Sequence, residues 1–528
     1  MEKIEQRPGA SVHEPKETAS GVPLYLIVDC GFHSSAGKSN IRKNCLLFRK
    51  SSKTSIVSKD LKRGSIFLRA TSSATVLWHC VQIVAATLVT LQPELVAAKQ
   101  TNVLLIVSDD HHWADYGFMG HEHVRTPHLD RLARESRLFP RGYVTSSLCC
   151  PSLATIITGR YPHQHLITCN DPPEQRGVGR NTPDGRRLFI DGRERMNVHL
   201  EQTPTLPAML AQSGYESFQT GKWWQGHFRR GGFTQGMTRG DRHGDEGLSI
   251  GRTSMQPIYD FVSHCRNDAK PFLVWYAPML PHDPHDPSPD IVEHYAQCTQ
   301  SKHIARYWGN IERFDRTVGD LLDFLDRENL SKETLVVYVT DNGWIQSMDK
   351  PGFAPRSKLS PYDGGLRTPI MLRQPGTITA GRSEAHVSSI DLAPTILAAC
   401  GISPPPSLIG VNLLDESKVT AREEIFGECF THTAIDLEHP EENLMWRWMV
   451  RGQWKLIVPA TADGNVHQSA AKRWEARLVD PSSLEKFENA VVELYNIAAD
   501  PEEKENCAVS HPDLVSDLRK RLDAWWKP

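Results

Sequence analysis

The sequence predicts an α/β fold, with helices layered on a central sheet and a smaller α+β domain at the C-terminal end. Three observations carry this. Continuous apolar runs at residues 102–108 (NVLLIVS), 271–277 (PFLVWYA) and 334–340 (TLVVYVT) read as strands buried on both faces. Amphipathic stretches lie between them, the clearest running from Ile304 to Leu325 with apolar residues at helical spacing. Beyond Pro404-Pro405-Pro406 the composition shifts to short β-like segments and one terminal helix.

Taken in order, residues 1–58 scatter Ser, Lys and Pro without a sustained period, so residues 1–70 are expected to be a poorly ordered extension, with the true start nearer residue 60. Lys59, Lys62, Arg63 and Arg69 then precede an apolar run over residues 76–91 and the small-residue site Val96-Ala97-Ala98. That order of charge, apolar run and cleavable site predicts a signal peptide over residues 71–98 and an exported protein, periplasmic or secreted. His79 and Gln82 interrupt a run already short for a span, so no stable membrane span is expected. Three of the 11 cysteines (Cys30, Cys45, Cys80) fall in this leader, and the other eight show no Cys-x-x-Cys spacing.

The larger α/β part is expected over residues 99–415 and the α+β part over 416–528. Thr126-Pro127 opens a helix, residues 139–145 lead to a turn at Cys149, and residues 152–157 continue as a helix. A helix over 205–212, a strand over 215–220 and a helix over 389–399 follow the same logic. Short strands at 424–430, 446–450 and 454–458 precede a helix over about 512–526. Residues 171–200 and 229–252, the second rich in Arg, Gly and His, read as loops that set specificity.

Sixty Lys+Arg against 63 Asp+Glu give a formal net charge of −3, which argues against a nucleic-acid partner. An anionic substrate must therefore be held by local charges. Asp109, Asp110, Asp341 and Asn342 all follow the C-terminal ends of expected strands, where open α/β sheets build their sites. Three carboxylates and an amide suit a hard cation, Ca²⁺ or Mg²⁺, better than zinc.

Between them lies Cys149–Arg160, CCPSLATIITGR, in which Cys149 stands two residues before Pro151 and Thr158-Gly159-Arg160 close the run. The stretch resembles the signature of the sulfatase family. The order Asp109-Asp110, Cys149, Gly221-Lys222-Trp223, Pro281-His282-Asp283-Pro284, Asp341-Asn342-Gly343, then Lys358 before Tyr362-Asp363-Gly364-Gly365, with Asp391-Leu392-Ala393-Pro394-Thr395 later, is also similar to that family's, over about residues 101–400. The resemblance implies an alkaline-phosphatase-like sandwich with a mixed central sheet. It implies that Cys149 is oxidised by a separate formylglycine-generating enzyme, and that the hydrated aldehyde attacks a sulfate ester, of a small molecule or polysaccharide. By the same resemblance Asp109, Asp110, Cys149, Asp341 and Asn342 hold calcium, Lys222 and Lys358 neutralise the sulfate, and His282 protonates the leaving oxygen. Arg160 braces the turn or adds positive charge.

Two positions depart from the family pattern. Leu153 stands where Arg is usual, and Trp224 where a His is usual; His227 and His285 are the candidates to stand in for that His. Competing functions are a phosphodiesterase or phosphonate monoester hydrolase of the same superfamily, and a non-catalytic binder of sulfated glycans with an unmodified Cys149.

Overall fold

Alternating side chains along strand β1 (Asn102–Ser108) feed two cores at once. Val103, Leu105 and Val107 face one, while Leu104 and Ile106 face the other. A strand buried on both faces has to be apolar throughout, which is why the run carries no alternating polar residues. The computed structural model describes residues 100–175, 177–460 and 491–528. The expected extension at 1–70 and signal peptide at 71–98 lie outside the described residues. No helix among the described residues is long and apolar enough to cross a membrane.

The large sheet contains β1, β2 (Arg137–Tyr143), β3 (Glu216–Gly221), β4 (Gln235–Gly236), β5 (Phe272–Ala277), β6 (Thr334–Thr340), β7 (Arg367–Arg373), β8 (Gly381–Arg382) and β9 (Val387–Ser388). Its order is β4-β3-β5-β1-β6-β7-β2-β8, with β9 paired to β2. Strands β3, β5, β1 and β6 are mutually parallel neighbours, and β7 runs antiparallel to both β6 and β2. The sheet is therefore mixed. One edge collects the C-terminal ends of β3, β5, β1, β6 and β2 and the start of β7.

Helices cover both faces. On one side α1 (Pro127–Glu135) buries Leu129, Leu132 and Ala133, and Asp315 accepts the Leu129 N–H at its N-terminal turn at 2.7 Å. On the other side lies α2 (Cys149–Thr158), buried at every position, so it carries no polar stripe. It starts at Cys149, three residues before the expected helix. The loop expected over residues 171–200 is corrected by the structure, which forms α3 (Pro183–Glu201) there. Thr182 caps it by accepting the Gly185 N–H, Pro183 sits in the first turn, and Met196 and Leu200 anchor its buried face. So few buried apolar residues in 19 positions left its period weak in the sequence. Helix α4 (Lys302–Arg327) carries the long stripe, with Phe314, Val318, Leu321, Leu322 and Leu325 in the second core, and α5 (Leu392–Ala399) packs on the first.

Strands β10 (Glu424–Phe430), β11 (Leu444–Arg451), β12 (Trp454–Pro459) and β13 (Glu493–Asn496) form a separate antiparallel sheet. One face buries Met449, Leu456 and Leu494 under Leu518 and Leu522 of α6 (Pro512–Trp525). The other face adds Ile425, Trp448, Val450 and Ile457 to the first core of the large sheet. The two sheets thus share one hydrophobic interior.

Candidate active site

Strand ends deliver the polar groups. Chain leaving β1 turns at Asp110, whose φ of 59° is a left-handed conformation that Asp tolerates better than most residues. Its backbone N–H donates to Asp341 Oδ1 at 3.0 Å, and the Asn342 N–H donates to the same oxygen at 2.6 Å. Asn342 Nδ2 in turn donates to Asp110 Oδ1 at 2.6 Å. The ends of β1 and β6 are therefore tied together by their own carboxylates. At the end of β3 the chain turns through Gly221, where φ is 74° and a Cβ would stand 1.9 Å from the Ala277 carbonyl oxygen. Only glycine lets β3 approach β5 so closely, and the turn throws Lys222 inward. Lys222 Nζ donates to Asp109 Oδ1 at 2.6 Å and lies 3.6 Å from Asp341 Oδ2. Lys358, before β7, donates to both oxygens of Asp110 at 2.6 and 2.8 Å. His282, from the loop after β5, sets Nε2 3.3 Å from Asp110 Oδ2 and Nδ1 2.9 Å from Asp283 Oδ1.

Cys149 opens α2 in the middle of this group. Its Sγ and one ligating atom each of Asp109, Asp110 and His282 lie within 4.8 Å of one another. Cys150 faces elsewhere, with its N–H on Asn170 Oδ1 and its sulfur accepting from Gln225. Burial pushes the Cys149 thiol up to about 12 against the pull of Lys222 and Lys358, so a thiolate is disfavoured at neutral pH. The eight cysteines among the described residues are all free thiols.

Electrostatics at the site are set by crowding. Burial works to raise Asp110, yet Lys358, His282 and Lys222 hold it well below the usual carboxylate range. Asp341 goes the other way: burial, then the neighbouring Asp109 charge, lifts it to about 7. Burial would lower Lys222 and Lys358, but Asp109 and Cys149 around the first and Asp110 around the second push both upward. His282 is likewise raised, because Asp109 and Asp110 outweigh its desolvation. Asp109 Oδ2, Asp341 Oδ2 and Asn342 Oδ1 are buried with no hydrogen-bond partner among the described residues. Buried oxygens without a hydrogen bond are costly, and three together on hard donors fit an oxygen-seeking cation.

Not every sequence-selected residue arrives here. Arg160 lies beyond the far end of α2, roughly 15 Å from Cys149 by the helical rise. Its guanidinium Nε is buried without a partner among the described residues, so the structure does not bring it to the site. Leu153, one turn after Cys149, is buried in the first core. Trp224 is 2% exposed, with the Arg242 and Arg193 guanidinium carbons 4.7 and 5.5 Å from its ring. Neither expected stand-in occupies its surroundings. His227 accepts the Arg229 N–H as a helix cap, and His285 packs on Tyr307 and Trp344. The imidazole beside Trp224 is His243, with ring centroids 4.4 Å apart. The Arg-, Gly- and His-rich composition of residues 229–252 was the signal for it, but spacing alone could not say which His points inward.

A family model described as Sulfatase matches residues 101–402. The chain belongs to the sulfatase family. Among relatives of this chain, N-acetylgalactosamine-6-sulfatase of Canis lupus familiaris is 28% identical over 60% of this chain and 66% of its own length. The alignment thus spans just under two thirds of that relative. N-acetylgalactosamine-6-O-sulfatase of Bacteroides thetaiotaomicron is 24% identical over 81% of this chain and 93% of its own. Among solved structures, Ps i-CgsB shares the fold with a TM-score of 0.60 at 23% identity, over 81% of this chain and 93% of that one.

Proposed function

We propose that this sulfatase hydrolyses a sulfate ester of a carbohydrate, using calcium and a formylglycine made from Cys149. The observation that carries the reading is the gathering of Cys149, Asp109, Asp110 and His282 within 4.8 Å, with two buried lysines bound to the same carboxylates. The names of its relatives, sulfatases of N-acetylgalactosamine 6-sulfate, support a sulfated sugar.

In this reading Asp109, Asp110, Asp341, Asn342 and the converted Cys149 would hold the metal, to which the three oxygens without hydrogen bonds are suited. Bound calcium supplies fixed positive charge that polarises the sulfate. Cys149, once oxidised by a formylglycine-generating enzyme, presents a hydroxyl in place of a thiol too poorly ionised to attack. Lys222 and Lys358 meet the remaining sulfate oxygens, because negative charge gathers there as the S–O bond breaks and preorganised cations stabilise it. His282, held protonated by its carboxylate neighbours, delivers its proton to the departing sugar oxygen. In this reading residues 99–415 carry this chemistry, and Lys455 of the smaller sheet braces Asp363 beside it. Export follows from the leader features at residues 71–98.

Peptide mass spectrometry across Cys149, in a host with the maturation enzyme, tests the reading together with an assay of aryl sulfate against aryl phosphodiester. Replacement of sulfur by oxygen and preference for the sulfate are expected. An intact thiol would favour a glycan binder, and preference for the diester would favour the phosphodiesterase class.

A further inference from the structure

The loop at residues 229–252 holds a backbone that is expensive to build. His243 has φ 72° and Asp245 φ 40°, both in the left-handed region that non-glycine residues avoid, with Gly244 at φ 132° between them. Such strain persists only where surrounding bonds enforce it. Here they are numerous. Asp245 Oδ2 accepts three successive backbone N–H groups, from Arg239, Gly240 and Asp241, at 2.9, 2.9 and 3.0 Å. Thr238 Oγ1 donates to the Gly244 carbonyl at 3.0 Å, and the Trp223 N–H donates to the His243 carbonyl at 2.9 Å. Gly244 lies so close to the turn that carries Lys222 that a Cβ would stand 2.5 Å from the Gly221 carbonyl oxygen. The loop is thus bolted to the residue next to a site lysine.

What this strain presents is one imidazole. The His243 ring stands edge-on to Trp224 and 6.2 Å, centroid to centroid, from His282. It is half-buried. Its ring nitrogens make no hydrogen bond to any of the described residues, although Lys222, Lys358 and His282 all lie within electrostatic reach. Beneath it, the indole Nε1 of Trp224 is buried and also without a hydrogen-bond partner among the described residues.

We propose that His243 is a substrate-contacting residue, which donates a ring N–H to an oxygen of the sulfate group held by Lys222 and Lys358. The inference rests on the sulfatase reading and gives the position beside Trp224 a donor from a different loop. Burial, then the Lys222, Arg242, His282 and Lys358 charges, push this imidazole down to about 2, so it stays neutral and keeps one N–H to donate and one lone pair. Asp245 is the positioning residue, acting only through the loop.

The test compares His243→Asn with His243→Gln. Asn accepts a left-handed backbone with little strain but is too short to reach, whereas Gln can place an amide N–H near the position of the ring nitrogen. Turnover of an aryl sulfate and binding of inorganic sulfate, by calorimetry, are both measured, with thermal midpoints as the control for folding. His243→Asn is expected to lower kcat/KM by about 10²-fold, the scale of one lost preorganised donor, and to weaken sulfate binding at an unchanged midpoint. His243→Gln is expected to recover part of both. Wild-type turnover and sulfate affinity in His243→Asn would overturn the proposal while leaving the sulfatase reading intact. An inactive wild type whose sulfate affinity still falls in His243→Asn would overturn the sulfatase reading and support the contact. No sulfate binding and no turnover in the wild type would overturn both.

Discussion

Two buried clusters of charge sit at the same edge of the large sheet, and only one is closed. In the first, Lys455 of β12 bridges Asp363 Oδ1 and Glu503 Oε1 at 2.7 and 2.8 Å. Tyr143 donates to Asp363 Oδ2 at 3.0 Å, and the Asp363 N–H donates to Glu503 Oε2 at 2.6 Å. Of the carboxylate oxygens there only Glu503 Oε1 lacks a hydrogen bond among the described residues, and it has the Lys455 ammonium at 2.8 Å as its ion-pair partner. In the second, Asp109 Oδ2 and Asn342 Oδ1 have no hydrogen bond among the described residues, and Asp341 Oδ2 has none either, with only the Lys222 ammonium 3.6 Å away. The clusters are joined, because Asp363 opens the turn whose Gly365 carbonyl accepts the Gly343 N–H at 2.9 Å, one residue beyond Asn342. A satisfied cluster fixes geometry, whereas an unsatisfied one keeps valences for a ligand. The small sheet supplies the first so that the large sheet can maintain the second.

Breaking the closed cluster is expected to have the largest effect on folding. Lys455→Ala leaves two buried carboxylates with one cation fewer, and removing one partner from such a pair costs about 3–5 kcal/mol. Urea titration with and without calcium measures it. Rescue by calcium would show that the cluster is part of the metal site and erase the distinction.

In the open cluster the loss moves to turnover. Lys222→Ala and Lys358→Ala are each expected to cost about 2–4 kcal/mol of transition-state stabilisation, read as kcat on an aryl sulfate, with stability largely restored by calcium. Unchanged kcat in both variants would remove the lysines from the reaction.

Asp341 sharpens the contrast through pH. Its folded-state value, raised to about 7 by burial and Asp109, lies above the ordinary carboxylate value. Its contribution to stability is therefore complete below about pH 4 and lost as pH rises through 7. In chelator the wild-type midpoint is expected to fall over that window more steeply than that of Asp341→Asn. Calcium, which binds the ionised form, is expected to remove the difference. Identical slopes for the two proteins in chelator would show that Asp341 does not titrate there.

The smallest effect expected is at Leu153. Leu153→Arg restores the usual family residue and is expected to raise the fraction of Cys149 converted, seen by peptide mass spectrometry. It is also expected to lower the melting midpoint, because Leu153 is 1% exposed in the apolar core and an unpaired guanidinium there is costly. Complete conversion in the wild type would show that Leu153 is an accepted variant.

Much of this architecture was legible without coordinates. Strand β6 falls on residues 334–340 as the apolar run indicates, and β1 on 102–108, because a strand buried on both faces has to be written in consecutive apolar residues. Helix α4 likewise follows its stripe, extending two residues beyond each end of the expected 304–325. Asp109 and Asp341 were findable because each follows a strand, and parallel neighbours must end at the same edge, whereas Lys222 and His282 came only from the order of motifs that resembles the family's. Helix α3 was missed because caps and a few buried residues, not periodicity, hold it.

By itself the sequence determined what is local: which runs are strands, where each ends, and which motif stands at each end. Tertiary structure alone decided three things. It sent Arg160 to the far end of α2, paired Lys455 with carboxylates 92 positions before it and 48 after it, and chose His243 over His227 and His285 as the imidazole beside Trp224. The physical reason is common to all three. Periodicity and spacing record the constraints of one element at a time, whereas the pairing of buried charges and the aim of a strained loop are set by groups that only folding brings within hydrogen-bond distance.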